Sequence, residues 1–141
     1  MIAPAEGARE IRVVLDRSAL ESYTKGHVHV GEVITEVADD ANVAIPATVF
    51  MEAQARTLGD ERARALLQLL AAAEGVVVLA LGAAEAIRAA GTVPLVDGDL
   101  PLAHGVWAAN ANAAFYLTTD PGQVESVIPA AHVIRVPTED A

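Results

Sequence analysis

Cysteine is absent and lysine occurs once, at Lys25, in a chain of 141 residues. Without thiols there is no disulfide scaffold, zinc ribbon or cysteine nucleophile, and the composition suits a reducing cytoplasm. Positive charge is scarce as well: 9 Lys+Arg against 19 Asp+Glu give a formal net charge of −10. That excess repels nucleic-acid phosphates and argues against a plain nucleic-acid-binding module. It is compatible with an enzyme whose carboxylates hold divalent cations, because such ions neutralise charge locally before an anionic substrate arrives. Long apolar runs are missing too. The stretch from Val76 to Ala84 is far short of the roughly 18 to 20 residues that cross a bilayer, so no membrane span is expected. Met1 to Glu10 carries two glutamates and no apolar core, and does not read as an export signal.

What is present is apolar and helix-prone. Hydrophobic residues make up 53% of the chain, the mean hydropathy is +0.38, and 30 residues are alanine. This suits one compact domain whose core holds without covalent staples. Ile11-Arg12-Val13-Val14-Leu15 reads as a strand ending at Asp16, with Ser18 placed to cap a helix from Ala19. Val30 to Ala38 has helical apolar spacing, and Asn42 to Pro46 follows as a strand. Thr48 to Leu58 and Glu61 to Ala73 read as helices, separated by Gly59 and a capping Asp60. Val76 to Leu79 reads as a buried strand, Ala83 to Ala90 as a helix closed by Gly91, and Asp99 to Asn110 as a helix. Phe115 to Thr118 and Val133 to Val136 complete the strands. The alternation implies an α/β fold, a mostly parallel central sheet of about five strands flanked by helices. Residues 1–10 read as an N-terminal extension, 11–136 as the domain and 137–141 as a tail.

In open α/β sheets, ligands sit beyond the carboxyl ends of the strands. Asp16 and Asp120 fall just after strands, while Glu52 and Asp99 lie near helix beginnings from which they can reach the same sheet edge. Four carboxylates at one edge repel one another unless hard cations sit between them, and oxygen-only ligands suit Mg²⁺ or Mn²⁺. Asp97, two residues before Asp99, is an alternative ligand.

Four segments, in order and at their spacing, carry a family resemblance: Val13 to Leu20, Ile45-Pro46 with Met51-Glu52-Ala53, Asp99 to His104, and Leu117 to Pro121. Over residues 11–136 the chain resembles the PIN domain, the ribonuclease fold of VapC toxins in toxin-antitoxin pairs. The resemblance implies that Asp16, Glu52, Asp99 and Asp120 form an acidic quartet binding Mg²⁺ or Mn²⁺, with Ser18, Thr118 and Thr119 as supporting hydroxyls. The implied activity is hydrolysis of RNA phosphodiester bonds, with metal-bound water as the nucleophile. A cognate antitoxin and a homodimer are the implied protein partners. A second expectation is a catalytically inactive PIN-like binding or regulatory domain, which the missing basic patch favours.

Other residues read more plainly. His27 and His29 would share one side of an extended segment and belong to an exposed loop. His104 reads as a packing or hydrogen-bonding histidine, Trp107 as core or interface, and Arg56, Arg62 and Arg64 as a solvated helix face. Val96-Asp97-Gly98-Asp99 has the Asp-x-Asp form of a phosphatase loop, but too little chain follows it for that fold. A receiver domain is excluded because its lysine would have to lie near the end of the chain, not at Lys25.

Overall fold

The computed structural model describes residues 9–138. Its centre is β1 (Ile11–Leu15), whose alternating side chains feed two separate cores: Val13 and Leu15 point to one face of the sheet and Val14 to the other. A strand buried on both faces has no polar side to spare, which is why this run is apolar throughout its second half. From β1 the chain passes through α1 (Arg17–Thr24) and α2 (His29–Ala38) to β2 (Asn42–Pro46), then through α3 (Ala47–Arg56) and α4 (Glu61–Ala72) to β3 (Val76–Leu79). It returns by α5 (Ala83–Ala89), a 3₁₀ segment (Ala90–Val96) and α6 (Leu100–Ala111) to β4 (Phe115–Thr118). Two short 3₁₀ turns then lead to β5 (Val133–Arg135).

All five strands are parallel, in the order β3-β2-β1-β4-β5. Helices α1 to α4 cover one face around Leu20, Val30, Ile34, Val49, Leu67 and Leu70. The other face is closed mainly by α6, whose Leu102, Ala103 and Val106 pack against Val14, Ala44 and Tyr116. The chain winds outward from β1 through β2 and β3, then restarts on its other side with β4. The crevice beyond β1 and β4 is therefore the topological switch point, where α/β sheets bind ligands.

Five local expectations need correction. Ser18 does not cap the first helix: Asp16 does, its carboxylate accepting the Ala19 N–H, so α1 begins at Arg17. Gly91 does not close the fifth helix, because the chain tightens into the 3₁₀ segment, which ends at Asp97 in the left-handed region (φ 56°). Strand β3 lies at the sheet edge instead of its interior: only Val76 is buried and Val78 is 39% exposed. Position in the sheet, invisible in a run of four apolar residues, decides that. The helix after β2 starts at Ala47 and stops at Arg56, and β5 stops at Arg135, although buried Val136 still donates its N–H to the Thr118 carbonyl. Of the expected terminal segments, residues 1–8 and 139–141 lie outside the described residues.

Candidate functional site

Asp16 leaves β1 where its N–H still bonds the Leu117 carbonyl of β4 (3.3 Å), which fixes it at the switch point. Asp16 as a whole is 2% exposed. Oδ1 accepts the Ala19 N–H (2.9 Å) and the Ser18 hydroxyl (2.6 Å). Burial pushes the Asp16 carboxyl above the usual carboxylate range, against the pull of the Ser18 and Thr118 hydroxyls and the amides of α1. A short chain of hydroxyls ties the two strand ends together. The Thr119 N–H donates to Ser18 Oγ (2.9 Å), Ser18 Oγ lies 3.3 Å from Thr118 Oγ1, and that oxygen accepts the Asp120 N–H (3.0 Å). The three supporting hydroxyl residues thus meet around Asp16, although Thr119 takes part through its backbone.

Glu52 on α3 and Asp99 at the N-cap of α6 come together through Arg17, the first residue of α1. Arg17 Nε and Nη2 fork onto Glu52 Oε1 (2.7 Å) and Oε2 (3.1 Å). On its other side Nη2 reaches Asp99 Oδ1 (2.7 Å), and Nη1 bonds Asp99 Oδ2. One guanidinium therefore satisfies all four oxygens of two carboxylates, the bidentate geometry for which arginine is suited. The three side chains are about a quarter exposed: 24% for Arg17, 23% for Glu52 and 27% for Asp99. Arg17 holds the Asp99 carboxyl below the usual range, and both carboxylates push the guanidinium pKa further up. Asp99 Oδ1 also accepts the Leu102 N–H (3.1 Å), which places the carboxylate at the positive end of α6. Arg56, one turn beyond Glu52, stands 3.8 Å from it.

Arg17 thus joins Glu52 and Asp99 directly after Asp16 in the chain, while Asp120 is exposed and its N–H is held by the Thr118 hydroxyl. Asp97 is exposed in the left-handed turn, and the ion pair goes to Asp99. Sequence reasoning missed Arg17. A signal was present: an arginine in the first turn of a helix opposes the macrodipole, and a broken local rule beside a candidate acid calls for compensating anions. It also missed Tyr116, whose hydroxyl is buried without a hydrogen-bond partner beneath α6. Burial, aided by the nearby Asp16 charge, pushes that phenol well above its usual range.

His104 is buried, with Nδ1 2.8 Å from the Thr48 hydroxyl. Burial lowers its pKa, which favours the neutral imidazole. His27 and His29 do not share an extended segment: α2 starts at His29, and Val28 before it is already helical. The arginines are split between two clefts, Arg56 beside the site and Arg62 near Gly26.

The carboxylate-only donor set has the chemistry a hard divalent cation prefers. Its placement does not yet offer those donors, since Arg17 takes the oxygens of Glu52 and Asp99. Among the described residues no group of three or more His, Asp or Glu side chains is poised to hold an ion. The residues fit Mg²⁺ or Mn²⁺ only with Arg17 withdrawn.

No protein-family model matches the sequence, and no curated protein is significantly similar to it. Solved structures do share the fold. A chain of a toxin-antitoxin complex from Klebsiella pneumoniae superposes with a TM-score of 0.67 at 15% identity, covering 92% of this chain and 99% of that one. A chain of VapBC2 from Rickettsia felis, in a crystal structure bound to a DNA fragment from their promoter, gives 0.70 at 12% identity, over 89% of this chain and 98% of that one. The fold is thus the PIN-like fold that the sequence resemblance implies, shared at nearly full length with chains of toxin-antitoxin complexes.

Proposed function

We propose that the protein is a PIN-type endoribonuclease, dependent on Mg²⁺ or Mn²⁺, and the toxin of a type II toxin-antitoxin pair. The observation that carries this reading is the Arg17 bridge that joins Glu52 and Asp99 one residue on from Asp16, beside the switch point of a fold shared with chains of toxin-antitoxin complexes. Asp16, locked by the Ala19 amide and the Ser18 hydroxyl, is the central ligand. Glu52 and Asp99 complete the anionic site once freed, and Asp120 at the rim adds a fourth carboxylate facing solvent. A cation bound there would supply Lewis-acid activation of water and stabilise charge on the leaving oxygen. The hydroxyl chain from Ser18 to Thr118 keeps the two strand ends in register, so the acids stay at fixed spacing. A cognate antitoxin, a homodimer and a cytoplasmic setting accompany this reading.

The test is cleavage of pooled bacterial RNA with Mg²⁺, with EDTA as control, by the wild-type chain and Asp16→Asn. Cleavage that needs the metal and falls by about 10²-fold or more in the variant supports the proposal. Undiminished cleavage by Asp16→Asn removes that residue from the chemistry.

A second reading is favoured by the Arg17 bridge itself. Two acids saturated by an internal cation describe a PIN-like domain that binds a partner without cleaving RNA. Absence of metal-dependent cleavage together with absence of Mn²⁺ binding would select it.

A further inference from the structure

We propose that Arg17 is an internal gate for the acidic site: its guanidinium occupies Glu52 and Asp99 in place of a divalent cation, and cation entry requires it to swing out. This rests on the metal-dependent reading above.

Geometry makes the two occupants mutually exclusive. All four oxygens of Glu52 and Asp99 accept hydrogen bonds from the guanidinium, which therefore stands in the space an ion bridging the two carboxylates would occupy. The same fork that neutralises the pair also holds α1, α3 and the start of α6 together. Arg17 has somewhere to go. A cleft of about 250 Å³ between α1 and α3 is lined by Arg17 itself with Leu20, Thr24, Ala53 and Thr57. Its aliphatic floor can take the methylenes of the side chain while the charged head reaches solvent. Such a move needs only rotamer changes of one residue that is already 24% exposed.

The exchange also changes the electrostatics of the cleft. Arg56 lines it and stands 3.8 Å from Glu52. Replacing Arg17 by a divalent ion between the acids leaves two arginines beside the site free to meet a phosphate. In a chain of net charge −10 without a basic patch, the gate makes positive charge available only where and when the metal is bound.

Apparent affinity falls in proportion to the fraction of molecules competent to bind. If Arg17 vacates the pair about one time in ten or less, its removal tightens cation binding about tenfold or more. The experiment is Mn²⁺ titration by calorimetry on the full chain, with wild type, Arg17→Met and Arg56→Met compared. Arg56→Met controls for the loss of one nearby positive charge. Tightening of tenfold or more in Arg17→Met, against a clearly smaller change in Arg56→Met, is the result expected. Equal affinity in wild type and Arg17→Met overturns the gate and leaves the metal-dependent reading standing. Equal tightening in both variants also overturns it, as a general charge effect. No binding in wild type or Arg17→Met overturns the metal-dependent reading, and the gate with it.

Should Arg17→Met fail to fold by circular dichroism, the wild-type chain alone decides. A Mg²⁺ titration followed by ¹⁵N NMR reads the Arg17 Nε–H, now bonded to Glu52. Loss of its protected, shifted signal as Mg²⁺ binds supports displacement; an unchanged signal at saturating Mg²⁺ overturns the gate, and absence of Mg²⁺ binding overturns gate and metal-dependent reading together.

Discussion

Asp16 and Asp99 sit in the same crevice yet respond to acid in opposite senses. Asp99 is held below the usual carboxylate range by Arg17, so the folded state binds its proton less readily than the unfolded state does. The stability it contributes is present above the unfolded pKa, about 3.9, and is lost as pH falls through the lower folded value. Asp16 is pushed up by burial, so its contribution is fullest when protonated and declines as pH rises from the unfolded value through the folded one. Urea melts at neutral and acid pH read both effects. Asp99→Asn is expected to be less stable than wild type near neutrality, with the gap closing in acid. Asp16→Asn, which keeps the Oδ1 acceptor for Ala19 and sheds a buried charge, is expected to match or exceed wild type at neutral pH while losing function. A strongly destabilised Asp16→Asn would contradict that account. Ser18→Ala removes the hydroxyl joining Asp16 to the Thr119 amide and is expected to cost about 1–3 kcal/mol by urea denaturation.

Two glycines of different elements separate conformational need from packing need. Gly75 precedes β3 at φ +80°, and a Cβ there would lie 2.6 Å from the Ala38 Cβ at the end of α2. Gly75→Ala therefore forces both a strained backbone and a collision, and is expected to cost on the order of 1–3 kcal/mol. Gly105 lies inside α6, where a Cβ would meet the Tyr116 ring at 3.5 Å and Pro46 at 3.8 Å, ordinary contact distances. Gly105→Ala is expected to stabilise by about 0.5–1 kcal/mol, since alanine is the better helix former. Opposite shifts in urea midpoint check the pair. Helix α6 also shows why its face was hard to assign from sequence. It is buried from Leu102 to Val106 without a break, so it carries no amphipathic stripe. Capping chemistry was legible in part: Asp60 accepts the Ala63 N–H as expected, whereas α1 is capped by Asp16 and not by Ser18.

At the scale of the molecule, a net charge of −10 sets how the chain meets RNA. Counter-ion release gives it little, so in EDTA and about 0.15 M salt its RNA affinity is expected to be weaker than the ~10⁻⁴ to 10⁻⁶ M of ordinary non-specific binders. Filter binding with and without Mg²⁺ checks this; tight binding in EDTA would refute it. Much of the architecture was legible beforehand, because strand and helix periodicities are local and β1 and β4 are short apolar runs closed by polar residues. The candidate acids were nominated from sequence because sheets of this kind present ligands at their carboxyl ends and the chain order puts Asp16 and Asp120 there; the structure joins two of the four, Glu52 and Asp99, through Arg17. Sequence could not show that β3 is an edge strand, that α5 runs on into a 3₁₀ segment, or that Glu52 and Asp99 share one partner. Arg17 lies 35 residues from Glu52 and 82 from Asp99 along the chain. No local pattern encodes a contact at that separation: it exists because α1, α3 and α6 are packed on a common sheet, and packing alone turns three separated charges into one closed ion triad.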